Sequence, residues 1–145
     1  MSELPPHSSG GPALPPATVF DPAAGLLPYA LEWGAAGRGA PVVLLVDAAG
    51  DRTWAADAAV ALATAWARAG RRVVLADLHL QEPLVHERLG EPNLDGVVDV
   101  FLYGASLSRA ARPAPGRGFY LISSGTYTED PGAVLRHPRW PRIAA

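Results

Sequence analysis

Two apolar runs separated by one alanine-rich stretch most constrain what this chain can fold into. Residues 42–46 (VVLLV) and 73–76 (VVLA) are both continuously apolar. Runs of this kind predict strands buried on both faces of a parallel sheet. Between them lies TWAADAAVALATAWARAG, which reads as a helix with Val60, Leu62 and Trp66 as its larger apolar groups. Its small alanines let it lie close on a sheet. Asp51 or Thr53 supplies the N-cap, and Gly70 stands where a left-handed C-cap belongs. Strand, helix and strand with short loops form a βαβ unit with a right-handed crossover. The expected fold is therefore α/β, a mostly parallel sheet flanked by helices in three layers.

The rest of the chain supports the same class. Residues 83–89 predict a short helix, 96–103 a second, and Ser106 caps a third. Residues 118–123 (GFYLIS) predict another strand, followed by a turn at Gly125 and a helix starting near Pro131. Residues 1–17, rich in Pro, Ser and Gly, read as a flexible leader. Residues 18–40 read as an ambiguous segment and linker, which leaves 41–145 as the folded domain. The chain has 145 residues, a net charge of −2 and no cysteine. Near-neutral charge argues against a nucleic-acid footprint, and the missing cysteine excludes disulfides, Cys-based zinc sites and thiol nucleophiles. No apolar run is long enough for a transmembrane helix, and the N-terminus lacks the regions of a secretory signal. The expected location is cytoplasmic.

The turn after the first run decides the chemistry. A phosphate-binding turn there needs glycines, a lysine and a Ser or Thr, because inward-facing backbone N–H groups and a cation hold the anion. This chain has Ala48-Ala49-Gly50-Asp51-Arg52-Thr53-Trp54-Ala55-Ala56-Asp57. The ordered pieces ARAGRRVVLADLHLQEPLVHERLG, EPNLDGVVDVFLYGASLSRAA and GFYLISSG nevertheless resemble the ParA/MinD-like P-loop ATPases, and in particular the bacterial tyrosine kinases of capsule and exopolysaccharide synthesis. The matching residues are Asp77, Pro83, Leu89-Gly90, Gly96-Val97-Val98-Asp99-Val100, Gly104-Ala105-Ser106-Leu107 and Ser124-Gly125. The resemblance covers about 41–135 and implies a P-loop NTPase-like domain, here partial.

The resemblance also locates the losses. Aligned without gaps, the phosphate-binding lysine falls at Ala55, the magnesium-binding hydroxyl at Ala56, and the loop glycines at Arg52 and Trp54. The second strand-end aspartate of the family falls at His79. The family's apolar Walker B strand ending in Asp is expected after Leu135, where this sequence reads RHPRWPRIAA, and the family's C-terminal tyrosine cluster is missing too. The expectation is a pseudoenzyme with a degenerate Walker A loop and no catalytic residue. Gly50, Thr53 and Asp77 remain as a vestigial nucleotide site, and Trp54 is a candidate plug for it. No cofactor is expected. Two origins fit, a decayed scaffold or a piece of a longer gene, and the ending before an expected central strand favours the second somewhat. The resemblance implies contacts with a protein partner or a second copy. A membrane polysaccharide-export protein is one such partner, and it would hold the chain peripherally at the inner membrane face.

Other chemistries have weaker support. The first alternative is a fragment of an ATP-binding tyrosine kinase or ParA-like ATPase, with ATP and magnesium as cofactors. The second is a dinucleotide-binding module in which Asp77 contacts a ribose; this needs three spaced glycines where only Gly50 stands. His79 and His86 beside Asp77 and Glu82 match no metal-ligand spacing and read as surface polar residues. Ser123-Ser124-Gly125 lacks the glycine of a nucleophile elbow and reads as a polar turn. Arg109, Arg112 and Arg117 read as a solvated face. Trp54, Trp66, Phe101 and Tyr103 are expected to pack between helix and sheet.

Overall fold

The computed structural model describes residues 42–143. The leader expected over 1–17 and the segment expected over 18–40 lie outside the described residues. Nine elements follow in order: α1 (Arg52–Arg68), β1 (Val74–Ala76), α2 (Val85–Leu89), α3 (Val97–Leu102), α4 (Leu107–Ala110), β2 (Arg112–Pro113), β3 (Tyr120–Ile122), α5 (Pro131–Leu135) and α6 (Trp140–Ile143).

Helix α1 begins and ends as its sequence dictates. The Asp51 carboxylate, rather than Thr53, accepts the first free N–H, from Trp54 at 2.9 Å. At the other end Gly70 takes φ +81°. Its N–H bonds to Ala67 O at 3.0 Å and the next, from Arg71, reaches Trp66 O at 3.1 Å. That pair of bonds is a Schellman closure, which only a left-handed residue permits cheaply.

The sheet is mixed, in the order β1-β3-β2. Strands β1 and β3 are parallel, with Val74, Leu75 and Ala76 opposite Tyr120, Leu121 and Ile122. β2 runs antiparallel to β3. The expectation of a mostly parallel sheet is corrected here. Residues 114–118 turn the chain back on itself, so β2 and β3 form a hairpin rather than a crossover. Pro113 lacks an N–H and is tolerated because β2 is an edge strand.

The larger correction concerns residues 42–46. They were expected to form the first buried strand, yet they lie outside every strand and are largely exposed, Val42 at 73% and Leu44 at 70%. A strand exists only through pairing. The second edge of β3 is taken by β2, and no described residue pairs with the outer edge of β1. Apolar sequence alone does not create a ladder.

Burial follows the alternation of β1 and β3. On one face Leu75 and Leu121 pack with Ala56 and Val60 of α1 and Val85 of α2, while Phe119 and Val73 pack with Ala63 and Ala67. On the other face Ile122 joins Leu80, Val98, Val100, Phe101 and Val134 from α3, α5 and the intervening loops. Val74 and Tyr120, on that same face, stay exposed. The described helices thus cover one face of the strands and only one end of the other, so the described residues fall short of the expected three full layers. Of the four aromatics expected between helix and sheet, Phe101 is buried, but against His137 and Trp140. Tyr103 is exposed.

Gly96, Asp99 and Gly125 clasp the two halves together. The first N–H groups of α3, from Val97 and Val98, donate to Ser123 O and Ser124 O at 2.8 and 2.9 Å. Asp99 Oδ2 accepts from Gly96 N at 2.8 Å and from Thr126 N at 3.0 Å. Its Oδ1 accepts from Thr126 Oγ1 at 2.6 Å. Burial pushes the Asp99 carboxyl up, but the bonds from Thr126 and Gly96 outweigh it and hold the group below its ordinary value.

A Cβ at Gly96 would stand 2.1 Å from Ser123 O and 2.4 Å from Gly125 N. Gly96→Ala is therefore expected to cost roughly 1–3 kcal/mol in urea unfolding, from overpacking. Asp99→Asn should cost roughly 1–3 kcal/mol at neutral pH by leaving donors unmatched. Because the folded-state pKa is depressed, the wild-type advantage is complete above the ordinary aspartate value of 3.8 and shrinks as pH falls below it. Unfolding midpoints of both proteins across that range check this.

Candidate functional site

The loop entering α1 has backbone donors, and its own carboxylates hold them. Asp47 Oδ1 accepts from Ala49 N at 3.0 Å and from Gly50 N at 2.9 Å. Asp51 holds Trp54 N, as above. An incoming phosphate would meet N–H groups already bonded to a carboxylate and would be repelled by its charge. Asp47 was not among the residues singled out from sequence. Its signal was a carboxylate two and three residues ahead of the N–H groups it bonds, the spacing of an Asx turn.

Gly50, Thr53 and Asp77, the residues expected to form a vestigial nucleotide site, sit as follows. Gly50 adopts φ +77° with open space where a Cβ would point. Thr53 is exposed in the first turn of α1. Asp77 is buried and follows β1 directly, its N–H bonding Ile122 O at 2.9 Å. Both Asp77 oxygens are engaged, Oδ1 by His79 N at 3.0 Å and Oδ2 by Val85 N at 3.1 Å. Asp77 thus ties the turn to the start of α2, and that leaves little of it for a magnesium ion or a ribose hydroxyl.

Ion pairs bring the Asp77 turn to the loop. Arg52 pairs with Glu82, and Arg88 grips Asp57 with two bonds of 2.6 and 2.9 Å. The bond to Asp57, and then its charge, raise the Arg88 pKa above its ordinary value. Both arginines near the loop are thereby paired with carboxylates. Ala55 and Ala56 carry neither cation nor hydroxyl, and Ala56 is buried against the sheet. Trp54 is 38% exposed, so the loop is not sealed by a buried indole. Among the described residues, no group of three or more His, Asp or Glu side chains is placed to hold a metal ion.

The cations of the whole chain settle a further point. All 12 of its Lys and Arg residues are arginine. No shift of the loop register within this sequence can therefore supply a phosphate-binding lysine.

No protein-family model matches the chain. Tyrosine-protein kinase wzc of Salmonella typhi is 29% identical over 84 residues, covering 58% of this chain and 12% of that protein. The kinase domain of Escherichia coli tyrosine kinase ETK superposes with a TM-score of 0.60 at 18% identity, over 65% of this chain and 37% of that one. The BceF tyrosine kinase domain superposes with a TM-score of 0.54 at 27% identity, over 61% and 34% of the two chains. The chain is related to the bacterial tyrosine kinases. It spans a small part of these relatives' length, and the likeness to the bacterial tyrosine kinase domains is one of fold.

In this loop the donors of Ala49, Gly50 and Trp54 are met by its own carboxylates. Asp47→Ala is expected to speed amide hydrogen exchange at Ala49 and Gly50 while leaving Trp54 unchanged, since Asp51 still holds it. The stability cost should be about 0.5–1.5 kcal/mol, read from urea unfolding.

Proposed function

We propose that the chain is a non-catalytic P-loop ATPase-like protein, related to the tyrosine kinases of polysaccharide synthesis, that acts through protein contacts. The carrying observation is the Asp47 carboxylate on the N–H groups of Ala49 and Gly50, with Ala55 and Ala56 where cation and hydroxyl would stand. No cofactor is required on this reading. The contact surface is the exposed apolar run 42–46, and Val74 and Tyr120 on the open end of the sheet offer a further exposed apolar pair. Its partner is a second copy or another protein of the same system, a membrane polysaccharide-export protein among them. Such a partner would place the chain peripherally on the cytoplasmic side of the inner membrane. No helix among the described residues is long and apolar enough to cross a membrane.

The unpaired run 42–46 also favours a second reading. On it the chain is part of an ATP-binding kinase whose remaining catalytic groups come from elsewhere, and magnesium-dependent binding returns when they are supplied.

Calorimetric titration of the folded protein with ATP and ADP, with and without magnesium, tests the first reading. The expected result is no magnesium-dependent binding up to millimolar nucleotide. Micromolar, magnesium-dependent binding overturns it. For the contact surface, Leu44→Glu together with Val46→Glu should abolish concentration-dependent association in sedimentation equilibrium, with an unchanged circular dichroism spectrum.

A further inference from the structure

A cavity of about 470 Å³ opens where the 93–95 segment, the α4–β2 junction and the turn after β3 meet. Asn93, Asp95, Arg109, Arg112, Gly125 and Thr126 line it. Most of these groups are already satisfied. The Asn93 amide spans Gly125, accepting from its N–H at 2.9 Å and donating to its carbonyl at 3.1 Å. Thr126 is bound to Asp99 through both N–H and hydroxyl. Arg109 pairs with Asp95.

Arg112 differs. It was expected on a solvated face, and it is half-buried instead. Its Nη2 donates to Pro92 O at 2.9 Å and to Ser123 Oγ at 3.3 Å. Those bonds fix the guanidinium, yet among the described residues no carboxylate pairs with it and its buried Nε has no acceptor. A held cation with an unmatched N–H is costly unless something answers it. The lining sets two arginines against one aspartate, and Asp99, behind Thr126 and Gly125, turns its oxygens to the Gly96 and Thr126 donors rather than to either arginine. The Gly125 wall stays bare backbone, since a Cβ there would stand 2.0 Å from Asp99 Oδ2.

We infer that this cavity binds an oxyanion group, phosphate or carboxylate, of a small ligand, with Arg112 as its fixed charge and Arg109 as a second donor. Guanidinium groups suit both anions through planar, charge-assisted bonds. The site is built from other elements than the loop at Gly50 and does not depend on the reading of that loop.

The test is an NMR titration of the full chain with sodium phosphate, and separately with sodium acetate, each against sodium chloride at matched ionic strength. Saturable shifts of the Arg112 Nε–H signal and of the Asn93 and Thr126 amides are expected, with millimolar or tighter dissociation constants. Tighter phosphate binding assigns a phosphoryl ligand, and tighter acetate binding a carboxylate. Arg109→Ala, whose side chain is largely exposed, should keep the fold and weaken binding about tenfold. No saturable response, a response matched by chloride, or undiminished binding in Arg109→Ala overturns the inference. ATP that shifts these signals while leaving Ala49 and Gly50 unmoved marks this cavity, so failure here and failure of the emptied-loop reading remain separable.

Discussion

The Asp99 carboxylate is the point on which the described structure turns. It gathers the Gly96 N–H and both donors of Thr126, so the start of α3 is locked against the end of β3. That lock allows the main chain at 96 and 125 to cross without side chains between them. It also buries Ser123 and Ser124 completely. Both serines find partners in the 93–94 segment, at Leu94 O and Asn93 Oδ1. A three-stranded sheet this short has little ladder energy of its own. The polar clasp and the Ile122 cluster behind it carry the join between its halves.

In the loop before α1, carboxylates again meet backbone donors. A P-loop is a set of backbone donors kept free for an anion. Here Asp47 and Asp51 meet those donors from within, and Arg52 and Arg88 are drawn off to Glu82 and Asp57. The loop is thereby held by short-range contacts of the chain itself.

Much of the fold was legible because local signals agreed with tertiary contacts. Asp51, Gly70, Ser106, Pro131 and Gly125 punctuate the chain where sequence places them, and the order of elements follows. Residues 42–46 were misread because pairing is a property of neighbours, not of apolar composition. Strand β2 escaped notice because its two residues, one a proline, carry no strand signal. α6 is also short, held by Trp140 Nε1 on Val134 O and by Phe101 stacking. That positions 55 and 56 offer neither cation nor hydroxyl was legible directly, from Ala55 and Ala56. What meets the loop donors was not, because Asp47 reads as a strand-end residue until its oxygen is seen on two N–H groups. Arg112 was misread for a similar reason, since its burial depends on Pro92 and Ser123, which are remote in sequence.

The central claim is that the loop N–H groups are taken. The most direct measurement follows the amide resonances of Ala49 and Gly50 while ATP and magnesium are added to the wild-type chain. The account predicts that both stay fixed up to millimolar nucleotide. Movement of both at micromolar nucleotide would mean that ATP displaces Asp47, and the chain would then have to be regarded as a nucleotide-binding protein.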